Sequence, residues 1–224
     1  MANSNIKKIA TIGILCAIAY TVMLFFRIPI ATIPPATPLN YEPKDVIIIM
    51  GGFLYGPLYA FMMSVVVSVI EMVTVSPTGI IGCVMNIVST TAFVCTASFI
   101  YSTKKTLGRA IIGLTVGVIF MTMIMVLWNY LLVPVYTPFA TRQAVAGLLL
   151  PLFVPFNLFK GGLNAVLAML IFKPIVTALN KSGLIEPAIV GNRSTIVKWI
   201  FIIAALIVTT VLLIYVYNPP TPPQ

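Results

Sequence analysis

The chain has 224 residues, of which 60% are hydrophobic and only 8% charged, where a soluble globular chain carries about a quarter charged residues. With a mean hydropathy of +1.12, this excludes a water-soluble enzyme or binding module and leaves an integral membrane protein, one membrane domain with no room for a sizeable aqueous one. The net charge of +9 comes from 13 scattered Lys and Arg residues, not from a basic patch with interleaved aromatics, so nucleic acid is not an expected partner.

In chain order, residues 9–26 form a first apolar stretch behind Lys7 and Lys8. It lacks a small-x-small cleavage site and reads as a retained span, not a signal peptide. Gly13, Ala17 and Thr21 stand at four-residue intervals in it, with Ala10 on the same side. Such small faces let a second helix approach closely, so these four residues form a candidate partner-docking surface or an internal packing seam. Residues 27–44 hold four prolines and then Leu39-Asn40-Tyr41-Glu42-Pro43-Lys44. That segment is too rigid and polar to span and is a candidate cap.

Four further spans are expected at residues 45–54, 58–74, 80–100 and 110–132, and a sixth at 145–179. The second is short for a crossing and the sixth is interrupted by Pro151 and Pro155. Both irregularities are tolerated at membrane depth only where protein or a cavity satisfies the freed backbone groups. Gly51-Gly52-Phe53-Leu54-Tyr55-Gly56-Pro57 reads as a tight turn and Ser76-Pro77-Thr78-Gly79 as another. The expected organisation is an all-α polytopic bundle over residues 1–181, a linker at 182–195, an additional helix at 196–217 and a proline-rich tail at 218–224. With alternating spans, Lys7, Lys8, Lys104, Lys105, Arg109, Lys173, Lys181, Arg193 and Lys198 share one side and Arg27, Lys44 and Arg142 the other. The positive-inside rule then places the N-terminus in the cytoplasm, and a seventh span puts the C-terminus outside.

The sixth span carries Asn157, Lys160 and Asn164, spaced i, i+3, i+7 and therefore on one helix face. An ammonium at membrane depth is costly without a partner, water or ligand, which makes Lys160 a site candidate. Asp45, Glu71, Asn86 and Asn129 fall toward the same end of their spans. Convergent polar groups within an apolar lining suit a small, partly aromatic ligand, while the competing reading makes them interhelical glue. No P-loop sequence, nucleophile-base pair or metal cluster is present, there is no His, and Cys16, Cys83 and Cys95 lie in apolar segments without a C-x-x-C pair. No enzyme activity and no cofactor are expected, and the energy for any transport has to come from a partner.

The order of landmarks resembles the substrate-binding S component of an energy-coupling factor (ECF) vitamin transporter, most closely the riboflavin-specific type. The resemblance spans about residues 6–181. It is carried by the loop ending at Asp45, by Phe53-Leu54-Tyr55-Gly56-Pro57, by Asn86, and most specifically by Trp128-Asn129-Tyr130…Pro134-Val135-Tyr136 and Pro155-Phe156-Asn157-Leu158-Phe159-Lys160-Gly161. It implies ligand contacts from Asn129, Asn157 and Lys160, with Asn86, Asp45, Glu71, Asn164 and Tyr41 completing the candidate set. It also implies docking of the Ala10-Gly13-Ala17-Thr21 face on a membrane-embedded coupling subunit that carries two ATPase subunits. The chain departs from the family pattern at Asp45-Val46-Ile47, where Asp-Val-Pro is usual, and at Glu71, where a carboxamide is common. An ion-coupled secondary transporter and a membrane scaffold stand as the other function classes at this stage.

Overall fold

The computed structural model describes residues 2–33, 37–76, 78–136 and 141–183. Helix α1 spans Ala2–Phe26, strands β1 and β2 span Ile28–Ile33 and Thr37–Tyr41, and helices α2 to α5 span Lys44–Tyr55, Pro57–Thr74, Gly79–Thr103 and Leu107–Tyr136. Helix α6, Arg142–Leu148, passes through a π-helical turn, Leu149–Phe153, into α7, Val154–Lys181. Five helical stretches among the described residues are long and apolar enough to cross a membrane. The expected linker beyond residue 183, the seventh span and the tail lie outside the described residues.

The short second segment is the centre of the bundle. Helix α2 has 12 residues, about 18 Å of helix against about 30 Å of hydrocarbon. Every residue from Lys44 to Phe53 is buried, as expected of a helix apolar on all sides. The turn that follows is narrower than the sequence suggested. Gly51 and Gly52 are helical, and only Gly56, at φ 101°, takes the left-handed backbone that leads into Pro57 at the start of α3.

Around α2, each helix buries one stripe and turns the remainder toward lipid. Helix α1 buries Thr11, Leu15, Ala19 and Met23 at four-residue spacing. Its opposite face leaves Ala10, Gly13, Ala17 and Thr21 exposed. The seam between α4 and α5 is set by glycine: a Cβ on Gly113 would lie 2.7 Å from the Ala97 carbonyl oxygen, and one on Gly117 2.6 Å from that of Phe93. Backbones that close tolerate only glycine at the contact.

Two features depart from the expected helical pattern. The proline-rich cap contains an antiparallel hairpin, pairing Ile28 with Tyr41 and Ile33 with Thr37, with an irregularity between Pro29 and Ala31. Proline cannot donate to a ladder, so Pro29 beside a bulge and Pro38 in a two-stranded edge are compatible positions. The interruption of the sixth span is absorbed without a break. The π turn carries Pro151, closes with Val154 N–H donating to Leu149 O, and leaves Pro155 in the first turn of α7, where the ring's fixed φ suits the helix.

Candidate functional site

At the hairpin end of the bundle lies a concave cavity of about 120 Å³ that opens to the outside, with the few convergent polar groups and apolar lining of a small-molecule site. Five elements supply its polar wall. Asn40 comes from β2, Glu71 from α3, Asn86 and Ser89 from α4, Asn129 from α5, and Asn157 with Lys160 from α7. Arg27 and Glu42 also line it, and Leu39, Ile81, Met85, Met125 and Phe156 supply apolar surface.

The carboxamides are held in a common way. Asn129 Nδ2 donates to the Met125 carbonyl at 2.6 Å and Asn157 Nδ2 to that of Phe153 at 2.7 Å, each one turn back on its own helix. These bonds fix the side chains and leave their oxygens as acceptors; Asn129 Oδ1 is buried and has no partner among the described residues. Lys160 is only 6% exposed. Among the described residues it makes no ion pair within 4.0 Å, the basic partners of Glu42 and Glu71 being Arg27 and Lys44. The cavity thus presents an ammonium without a contact ion pair on α7, together with the helix-borne carboxamides Asn129 and Asn157, while its carboxylates Glu42 and Glu71 take Arg27 and Lys44 as contact partners.

The other charges compensate one another. Lys44, fully buried at the start of α2, donates to Glu42 at 2.7 Å and to Glu71. Glu71 also accepts from Asn86 Nδ2 at 3.0 Å, so it both lines the cavity and ties α2, α3 and α4 together. Arg27 lies 3.3 Å from Glu42 and donates to the Val75 carbonyl at 3.3 Å; with the Asn40 amide turned over, so that its oxygen and nitrogen exchange places, Arg27 also donates to the Asn40 oxygen at 3.1 and 3.0 Å. Burial pushes the Glu42 carboxyl up, but Lys44, Lys160 and Arg27 outweigh it and hold the group down at about 2.

Three of the residues singled out in the sequence sit behind this wall instead of lining it. Asp45 Oδ1 accepts from Thr90 Oγ1 at 2.7 Å, Asn164 Nδ2 donates to Asp45 Oδ2 at 3.3 Å, and Tyr41 Oη donates to Asn164 Oδ1 at 2.9 Å. All four side chains are buried. The i, i+3, i+7 face of α7 therefore divides: Asn157 and Lys160 face the cavity, and Asn164 joins a polar strut between hairpin, α2 and α4. Sequence reading missed Arg27, Glu42, Lys44 and Ser89. The signal for Lys44 was present in the unusual Glu42-Pro43-Lys44-Asp45 run next to an apolar segment, but its second carboxylate comes from Glu71, 27 residues away.

Comparison with known proteins agrees with this architecture. The family model for the substrate-specific component of ECF transporters matches residues 7–172. The riboflavin transporter RibU of Streptococcus thermophilus is 30% identical over 186 residues, 80% of this chain and 87% of the relative. RibU of Staphylococcus aureus is 28% identical over 180 residues, 78% and 93% respectively, and the riboflavin transporter FmnP of Bacillus subtilis is 28% identical over 181 residues, 75% and 91%. A solved S component of a bacterial ECF transporter superposes with a TM-score of 0.64 at 28% identity, covering 78% of this chain and 98% of that one. A bundle closed by a hairpin over a polar cavity, matched along three quarters of its length, belongs to the family of substrate-specific components of ECF transporters.

Proposed function

We propose that the chain is the riboflavin-binding subunit of an ECF importer and that the hairpin-end cavity is its vitamin site. The observation that carries this reading is a buried Lys160 without a contact ion pair among the described residues, in one cavity with Asn129 and Asn157, each of which commits one amide N–H to its own helix and so fixes its side chain. Riboflavin has a flat, largely apolar ring, a dione edge that accepts from an ammonium, and a hydroxylated chain that donates to amide oxygens. Met85, Met125 and Phe156 offer apolar surface for the ring. The riboflavin transporters among the relatives support the same ligand.

In this reading Asn129, Asn157 and Lys160 bind the ligand, with Asn86 and Glu71 at its edge. Asp45, Asn164 and Tyr41 hold the wall and the hairpin in place. The cytoplasmic N-terminus inferred from the charge distribution puts the hairpin outside, where it covers the site. The exposed Ala10-Gly13-Ala17-Thr21 face of α1 docks on the transmembrane coupling subunit, which carries two ATPase subunits. Thr21 Oγ1 is satisfied by the Ala17 carbonyl at 2.8 Å, so a partner helix there meets no unpaired donor. Residues 196–217, expected from the sequence as a seventh span, are assigned no part in the ligand site. The test is the absorption spectrum of the purified chain after expression with riboflavin. A near-stoichiometric flavin chromophore is expected, and its absence after riboflavin is supplied overturns the reading.

A further inference from the structure

Two buried oxygens in the cavity lining have no hydrogen-bond partner among the described residues, Asn129 Oδ1 and Ser89 Oγ. The first belongs to the ligand set already described. Ser89 has no role in it, although it is only 2% exposed. A helical hydroxyl ordinarily satisfies itself on the carbonyl three or four residues earlier. Thr11, Thr21, Thr74, Thr122 and Thr177 all do so in this chain. Ser89 does not. Ser64, Ser68, Thr91 and Ser98 are also buried without a partner, but none of these lines the cavity.

Its depth separates Ser89 from the charged groups. Helix α4 begins at Gly79 beside the hairpin, where Ser76 and Thr78 line the same cavity as Arg27 and Asn40. Ser89 lies ten residues along it, about 15 Å in, and Asn86 nearly one turn closer to the mouth. Glu71, by contrast, is three residues from the end of α3 at Thr74. At the inner end the polar group is therefore a neutral hydroxyl, able to donate and accept, in a cavity that Met125 also lines.

We propose that Ser89 is a further ligand contact that determines affinity at the inner end of the cavity, hydrogen-bonding a neutral polar atom of the bound flavin. That atom is either on the dione edge of the ring or a hydroxyl of the chain. The proposal rests on the riboflavin reading above. A buried hydroxyl without a partner is destabilising, and a ligand atom that supplies the partner recovers that loss as affinity.

The experiment titrates flavin fluorescence of the purified full chain against riboflavin and against lumiflavin, the same ring with a methyl in place of the hydroxylated chain. Wild type, Ser89→Ala and Ser98→Ala are compared, and the thermal midpoint of each ligand-free protein is recorded. Ser89→Ala should weaken riboflavin about tenfold without lowering the ligand-free midpoint, and Ser98→Ala should bind as wild type does. An equal loss for lumiflavin assigns the contact to the ring, and a loss confined to riboflavin assigns it to the chain. Unchanged riboflavin affinity in Ser89→Ala overturns the proposal while leaving the flavin reading intact. Equal weakening by Ser98→Ala, or a lowered midpoint in Ser89→Ala, overturns it in favour of a packing role. Failure of the wild type to bind riboflavin removes the flavin reading itself, and this proposal with it.

Discussion

The Tyr41 hydroxyl, at the end of the hairpin, donates to Asn164 Oδ1 in the middle of α7 at 2.9 Å, joining residues 123 positions apart. Burial and the nearby Asp45 push the phenol up, so Tyr41 stays a donor across working pH. Asn164 then passes the connection to Asp45, and Asp45 to Thr90. The hairpin and helix α7 are thereby held in one buried network that does not itself line the cavity.

Tyr41→Phe should release the hairpin. It removes one donor and leaves Asn164 Oδ1 buried and unpaired, a loss of about 1–3 kcal/mol. The thermal midpoint should fall, and bound flavin should dissociate faster in stopped-flow fluorescence. An unchanged dissociation rate would show that the strut does not restrain the cap.

The ion-pair cluster sets the pH response. The Glu42 carboxyl is held at about 2, below its ordinary 4.5, so its contribution to stability is fully present above about pH 4.5 and is lost as pH falls through about 2. The Glu42 contribution to hairpin docking should therefore be flat from pH 8 to 5 and weaken only below that. Glu42→Gln should show weaker docking already at neutral pH, because Lys44 loses one of its two carboxylates in a buried site. Hydrogen exchange of the hairpin amides over pH 4–8 checks both expectations.

The glycine seam gives a paired test of packing. Gly117→Leu forces a side chain against the Phe93 backbone and should destabilise by more than the 1–3 kcal/mol of ordinary overpacking, because backbone does not yield. Gly162→Ala, on a helical site with nothing within 4 Å of the added carbon, should be neutral or stabilising by about 0.5–1 kcal/mol. Detergent-solubilised thermal midpoints separate them, and equal shifts would contradict the close α4–α5 approach.

The exposed face of α1 allows binding and transport to be tested separately. Gly13→Leu adds bulk where no atom lies within 4 Å, so flavin affinity of the isolated chain should be unchanged. Co-purification with the coupling module and uptake in cells should fall at least tenfold. A parallel loss of affinity would mean that this face packs within the subunit.

The bundle was legible in the sequence because long apolar runs at membrane depth have one stable outcome, a helix, and the spans at residues 9–26, 58–74, 80–100 and 110–132 lie within the observed helices. The Asn157 and Lys160 part of the site was legible because polar groups are rare in such runs. What escaped was set by tertiary contacts. The hairpin, with prolines at 29 and 38 and no Asn-Gly turn, has no local strand signature. Lys44 looked like a charge at the membrane edge, and only its enclosure by Glu42 and Glu71 makes it a buried strut. Asn164 shares a helix face with Lys160, yet a second turn of helix carries it past the cavity to Asp45.

The central claim is that Lys160 holds the dione edge of riboflavin in the hairpin-end cavity, and one titration tests it most directly. Lys160→Met keeps the apolar stem and removes only the ammonium, so the loss reflects a hydrogen bond from a charged donor, about 1.5–3 kcal/mol. Riboflavin titrated into purified wild type and Lys160→Met should show affinity lower by roughly ten- to a hundredfold in the variant, with both proteins unfolding at similar temperatures. A folded Lys160→Met variant that binds riboflavin as tightly as wild type would contradict the account.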